Sequence, residues 1–209
     1  GSPYRLLGRK MAIWMSRPAS QARGAAVAAA PWTPEGDDGC TAGPLAPRAV
    51  MGYLAAYGYQ AADATTWKER GAASSHEQHQ VPQLSLQVRE HEEMESHTWY
   101  VVECILQIGS GSLQWRAPRR LAQLRDGLHQ PVKQELGDDY EKHFREAHFA
   151  SKGGLPGTTA RLNGWLAALA LCVNSGGATP NLTALLLRFF AAPEPEALQR
   201  RKSVGTSRV

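Results

Sequence analysis

The chain has 209 residues, 43% of them apolar and 20% charged, with a formal net charge of +4. That balance suits a folded domain with flanking segments and excludes a wholly disordered polypeptide. Cys40, Cys104 and Cys172 show no CxxC spacing, so neither a disulfide framework nor a zinc site is expected, and a reducing compartment is the simpler reading. The longest oily run, residues 182–192, is interrupted by Arg188 and falls short of the roughly 18 residues a membrane span requires. Any membrane contact is therefore expected to be peripheral.

The positive charge is unevenly spread. Residues 81–195 carry 11 Lys and Arg against 12 Asp and Glu, and the surplus lies in the first 80 residues and the last 14. A nearly neutral domain lacks the broad basic field that drives non-specific phosphate binding. Nucleic acid is thus not an expected partner, and an anion would have to be held in a local pocket.

Residues 1–80 read as low-complexity and disordered. Residues 19–47 are mostly Ala, Gly and Pro, and alanine buries too little area to offset chain entropy. Trp14, Trp32 and the Tyr53, Tyr57 and Tyr59 group are exceptions, suited to a short helix or to packing on the domain. Arg5, Arg9, Lys10, Arg17 and Arg23 precede any acid. Organellar transit peptides share that balance with solvated basic tails, and the tail is the simpler reading.

Beyond Gln80 the pattern becomes regular. Leu84, Leu86 and Val88 alternate with polar residues and predict a half-buried strand. Residues 91–97 are polar and read as a turn. Residues 99–108 predict a second strand with Tyr100, Val102, Cys104, Leu106 and Ile108 on one face. Gly109 to Ser112 is a hairpin connection, and residues 113–117 predict a third strand with Trp115 inward.

Helical spacing follows. Leu121, Leu124, Leu128 and Val132 predict a helix that Pro131 should kink or end. Residues 137–151 are polar, with Tyr140, Phe144 and Phe149 as anchors. A second helix is predicted from Thr158 or Thr159 as N-cap, with the stripe Leu162, Trp165, Leu166, Leu169 and Val173, ending at Ser175-Gly176-Gly177. A third runs from Pro180 through Leu182, Leu185, Leu186, Phe189 and Phe190 to a stop at Pro193. Strands followed by helices define an α+β fold, a three-stranded antiparallel meander packed against a helical subdomain.

Three segments within residues 81–195 carry a family resemblance. Trp115-Arg116-Ala117-Pro118-Arg119-Arg120-Leu121 resembles the paired-arginine signature of the phox-homology (PX) family, at the junction of the third strand and first helix. Phe149-Ala150-Ser151-Lys152 resembles the stretch ending in that family's lysine, and Arg161-Leu162-Asn163-Gly164-Trp165-Leu166 resembles the arginine-led start of its next helix. The resemblance implies that Arg120 binds the 3-phosphate of an inositol ring with Arg119 beside it as support. It implies that Lys152 meets the 1-phosphate and that Arg161 hydrogen-bonds the hydroxyls at positions 4 and 5. Such charge-assisted bonds contribute about 1.5–3 kcal/mol each. Leu155 is then the candidate membrane-contacting residue.

The function so implied is a membrane-recruitment module for a phosphoinositide, with phosphatidylinositol 3-phosphate foremost, on cytoplasmic, endosomal-type membranes. Two departures favour an alternative, a PX-shaped interaction scaffold with little or no lipid binding. Leu121 stands where an aromatic residue usually follows the arginine pair, and the proline-rich loop is compressed into Gly153-Gly154-Leu155-Pro156-Gly157.

Other features read as structural. Trp115, Trp165, Cys104 and Cys172 lie on apolar faces and are expected in the core, and His143 and His148 lack partners at metal spacing. The glycine-rich stretch before Thr158 lacks the lysine of a phosphate loop. No nucleophile elbow, spaced carboxylate pair or metal cluster is recognisable, so neither enzymatic activity nor a cofactor or metal is expected. Residues 196–209 read as a basic flexible tail. Within it, Arg200-Arg201-Lys202-Ser203 suits a kinase site or an acidic membrane, and the ending at Val209 suits a PDZ-type protein partner.

Overall fold

A computed structural model describes residues 47–59, 81–151 and 155–195. The expectations for the basic N-terminal segment and the C-terminal tail lie outside these residues. Three strands, β1 (Gln83–Met94), β2 (His97–Ile108) and β3 (Gly111–Arg120), form one antiparallel sheet in the order β1-β2-β3. The fold is α+β, and the alternation that predicted the strands also sets their faces. Leu84, Leu86 and Val88, then Tyr100, Val102, Cys104 and Leu106, are buried together on one side. The opposite face is polar, with ion pairs Arg89–Glu103 at 2.7 Å and Arg116–Glu90. Exposed pairs of this kind contribute little to stability.

The first hairpin differs from expectation. Residues 91–97 do not form a broad turn: β1 continues to Met94, and the reversal is confined to Glu95 and Ser96, at φ 51° and 64°. The extension pairs through main-chain bonds and is mostly exposed, so hydrophobic alternation carried no signal for it. A register shift between Val88 and Glu90 marks a bulge, which puts His91 opposite Tyr100. The second reversal fits a type II′ turn, with Gly109 at φ 55°.

A correction concerns the N-terminal stretch. Within the segment read as disordered, Pro47–Ala56 forms helix α1, with Val50, Leu54, Tyr57 and Tyr59 buried. The folded unit therefore reaches back before residue 81. The alanines of α1 bury little, but its larger side chains pack against the helix formed by Pro180–Phe189, and Tyr57 Oη donates to the Ala192 carbonyl at 3.0 Å.

After β3, helix α2 is built from Leu121–Leu124, a π-helical turn Arg125–His129, and Gln130–Leu136. Pro131 was expected to kink or end it; the helix does not end there but runs on to Leu136, with the π-helical turn just before the proline. The proline lacks the N–H that would pair four residues back, and the widened turn preceding it absorbs that mismatch. Gly127 lies in the π turn, and the Phe189 ring packs against it so closely that an added Cβ would sit 2.7 Å from Cε2. A 3-10 turn, Gly137–Asp139, leads to α3 (Tyr140–Phe144).

Helix α4 (Thr158–Asn174) lies along β1. Its N-cap is Gly157, without a side-chain bond, rather than Thr158 or Thr159; Thr158 is itself buried. It ends as expected, with Gly177 N–H donating to the Cys172 carbonyl at 2.9 Å. Helix α5 (Pro180–Phe189) opens on Thr179, whose hydroxyl accepts from Leu182 N–H at 3.1 Å.

Candidate functional site

The strand-to-helix junction separates the two arginines that the sequence paired. Successive residues of a strand point to opposite faces, and β3 runs through Arg120. Arg119 therefore faces the core and is only 9% exposed. Its Nε donates to the Phe189 carbonyl at 3.1 Å, Nη2 donates to the same oxygen, and Nη1 donates to the Pro118 carbonyl at 2.8 Å. The Phe189 ring lies 5.2 Å below the guanidinium carbon. This correction changes the role of Arg119: it fastens the end of α5 to the sheet and does not stand beside Arg120.

Arg120 points the other way and is half-buried at the rim of an open cleft of about 590 Å³. Its guanidinium carbon sits 5.6 Å from the centre of the Trp99 ring, the residue opposite it in the ladder. Its backbone N–H donates to Gln123 Oε1 at 2.9 Å, which fixes the change of direction into α2. Thr98, Tyr100 and the hairpin residues Ser96 and His97 line the sheet side of the cleft. Leu121, Ala122 and Arg125 continue the helical side, and Ser151 closes the far edge. Leu121 thus occupies the wall position next to Arg120, an aliphatic surface where a ring would offer stacking.

The described lining holds two guanidiniums and no carboxylate. Two acids approach from outside it. Asp126 accepts from Arg125 Nε at 2.8 Å and Nη2 at 3.2 Å, which lowers the Asp126 pKa and raises that of Arg125. Glu93 accepts from the Thr98 hydroxyl at 2.6 Å. His97 Nδ1 lies 2.9 Å from the Glu95 carbonyl, which holds its ring at the hairpin tip. A cavity bounded by guanidiniums, hydroxyls and an aliphatic wall suits an anionic ligand bearing an apolar or ring portion.

The other expected site residues fall in different places. Lys152 lies outside the described residues. Leu155 is 56% exposed. Arg161 is exposed on the first turns of α4, makes no ion pair among the described residues, and is not part of the described lining. The start of α4 does reach the hairpin, with Thr159 Oγ1 3.4 Å from His91 Nδ1, and the His91 ring lies 6.3 Å from that of Tyr100. Sequence reading missed His97, Thr98, Tyr100 and Arg125. The first two sit beyond the part of the hairpin that burial would mark, and Arg125 lies on the exposed face of a helix, as most arginines do.

An aromatic cluster joins helices of the domain. The His129 ring stacks on Phe149 at 4.3 Å and 21° and meets Trp165 edge-on at 5.5 Å. Trp165 Nε1 donates to Tyr140 Oη at 3.0 Å, and that oxygen is 3.1 Å from His129 Nε2. Burial, assisted by Lys133, holds the His129 pKa below its ordinary value. The cluster ties α2, α3 and α4 to the segment leading into Ser151. Among the described residues no set of His, Cys, Asp and Glu is placed to hold a metal ion. Cys104 and Cys172 are buried, and burial pushes both thiols up, Cys172 to about 11. No helix of the described residues is long and apolar enough to cross a membrane.

Comparison with known proteins returns no protein-family model, no curated protein and no solved structure that matches the chain.

Proposed function

We propose that the chain is a peripheral membrane module of PX-like form that binds a 3-phosphorylated phosphoinositide, phosphatidylinositol 3-phosphate being the simplest such lipid. The observation that carries this reading is the position of Arg120, at a strand-to-helix junction on the rim of a cleft whose far edge is Ser151. Leu155, four residues after Ser151 in the chain, is exposed and supports the reading as an apolar contact. In this reading Arg120 holds the 3-phosphate and Lys152 the 1-phosphate, while Leu155 enters the acyl boundary; Arg161, expected at the ring hydroxyls, is not among the described residues lining the cleft. Burial of one leucine contributes about 1.5–3 kcal/mol, so single-site attachment is weak and avidity strengthens it. Recruitment to endosomal-type membranes follows from the lipid.

Co-sedimentation with vesicles containing phosphatidylinositol 3-phosphate tests the reading. Arg120→Ala is expected to weaken binding about tenfold or more, from loss of about 1.5–3 kcal/mol. A folded Arg120→Ala protein that binds as wild type refutes the assigned cleft.

A second reading has its own support. Arg119 is committed to the Phe189 carbonyl, and Leu121 replaces a stacking ring. Both features weaken a headgroup site and fit an interaction scaffold. That reading gains if no phosphoinositide vesicle retains the protein while a protein partner co-purifies through the C-terminal tail.

A further inference from the structure

We infer that Arg125 makes the cleft a two-anion site, so that an inositol ring bearing a second phosphate binds more tightly than the 3-monophosphate. This inference rests on the phosphoinositide reading and specifies its ligand class. Arg120, the last residue of β3, and Arg125, in the π turn of α2, line the same cleft. The cleft, at about 590 Å³, falls within the size range of small-molecule sites, which leaves room beyond a single phosphate.

Arg125 has donors to spare. A guanidinium offers five N–H groups in a planar fork; Nε and one of Nη2 engage Asp126, and the others remain for a phosphate. The Arg125–Asp126 pair is exposed at both ends, so water screens it, and an arriving dianion competes with Asp126 at modest cost. Asp126 thereby acts as a brake on the second subsite: its carboxylate offsets the charge of Arg125 but not that of Arg120. The monophosphate, held at Arg120, depends on these two residues less than a bisphosphate does.

The test uses the full chain and vesicles of matched total surface charge, containing either phosphatidylinositol 3-phosphate or one of the 3-phosphorylated bisphosphates. Soluble headgroups of both kinds are titrated in parallel, and melting temperatures confirm folding. Wild type is expected to prefer a bisphosphate by about tenfold, the usual effect of one charge-assisted bond set. Arg125→Gln is expected to erase that preference, weakening bisphosphate binding about tenfold more than monophosphate binding, and Asp126→Asn to enlarge it. Equal binding of the two lipids by wild type overturns the inference, as does an equal loss on both lipids in Arg125→Gln. In either case sensitivity to Arg120→Gln leaves the phosphoinositide reading standing. An absence of wild-type binding to every vesicle and headgroup removes that reading and this inference together. Arg125-dependent binding of the soluble headgroup alone supports the second subsite and assigns it to a free inositol phosphate.

Discussion

Arg119 reaches across 70 residues of sequence to donate to the carbonyl of Phe189, joining the last turn of α5 to the last residues of β3. Trp115 Nε1 makes a parallel bond to the Phe190 carbonyl at 2.8 Å. Helix ends leave carbonyls without intrahelical partners, and these two side chains satisfy them from the sheet. The neighbour of Arg119 on the strand faces the cleft, so adjacent identical residues have separable consequences.

Arg119→Met is therefore expected to lower stability by about 1–3 kcal/mol, because it strands a buried carbonyl. Arg120→Ala should cost much less stability. Urea denaturation of the two variants checks this; a ranking in the opposite order would contradict the assigned roles.

Asn174 guards the open edge of β1. Its Oδ1 accepts from Leu84 N–H at 2.8 Å, and its Nδ2 donates to the Leu84 carbonyl at 2.9 Å. Asn163, three helical turns earlier on the same face, accepts from Val88 N–H at 2.9 Å. Unpaired edge groups template aggregation. Asn174→Ala should cost about 1–3 kcal/mol, and the double variant with Asn163→Ala should self-associate on storage. Light scattering reads the second effect, and a monodisperse double variant counts against the edge-guard role.

Gly127 lies flush against the Phe189 ring, with only 2.7 Å available for a Cβ. Gly127→Ala is expected to destabilise by about 1–3 kcal/mol through overpacking, despite the higher helix propensity of alanine. Phe189→Leu in the same chain should relieve part of that cost. A double-mutant cycle measures the coupling, and strict additivity would show that the ring is not the obstacle.

His129 makes stability depend on pH. Its pKa is depressed in the folded chain, whereas the unfolded chain protonates near the ordinary imidazole value of about 6.5. The unfolded state then binds more protons as pH falls through that value, so this group removes stability on acidification, and the loss levels off below the folded pKa. The melting temperature between about pH 8 and 5 should fall less steeply in His129→Phe, which keeps a ring against Phe149. Identical slopes in the two proteins would remove His129 from the account.

Much of the fold was legible without coordinates. The period-two pattern of Leu84, Leu86 and Val88 and of residues 100–106 marked strands and their buried face. The leucine spacing in α2, α4 and α5 marked helices. The hairpin beyond Val88 was not legible, because main-chain pairing rather than apolar burial holds it. Helix α1 was legible only in part: Tyr53, Tyr57 and Tyr59 stood out as suited to a short helix or to packing, but the alanine-rich composition around them masked Val50 and Leu54, whose helix packs on α5, far along the chain.

The candidate site divides in the same way. Residue order alone marked Arg120 as a cation at a strand-to-helix junction and Leu155 as an apolar residue in a short loop, since both follow from local spacing. Three-dimensional packing decided that Arg119 belongs to the core, that Arg125, Thr98 and Tyr100 share the cleft with Arg120, and that Arg161 stands apart from its described lining. Those outcomes depend on which face a side chain takes once a strand is paired, and pairing is set by contacts between residues distant in sequence.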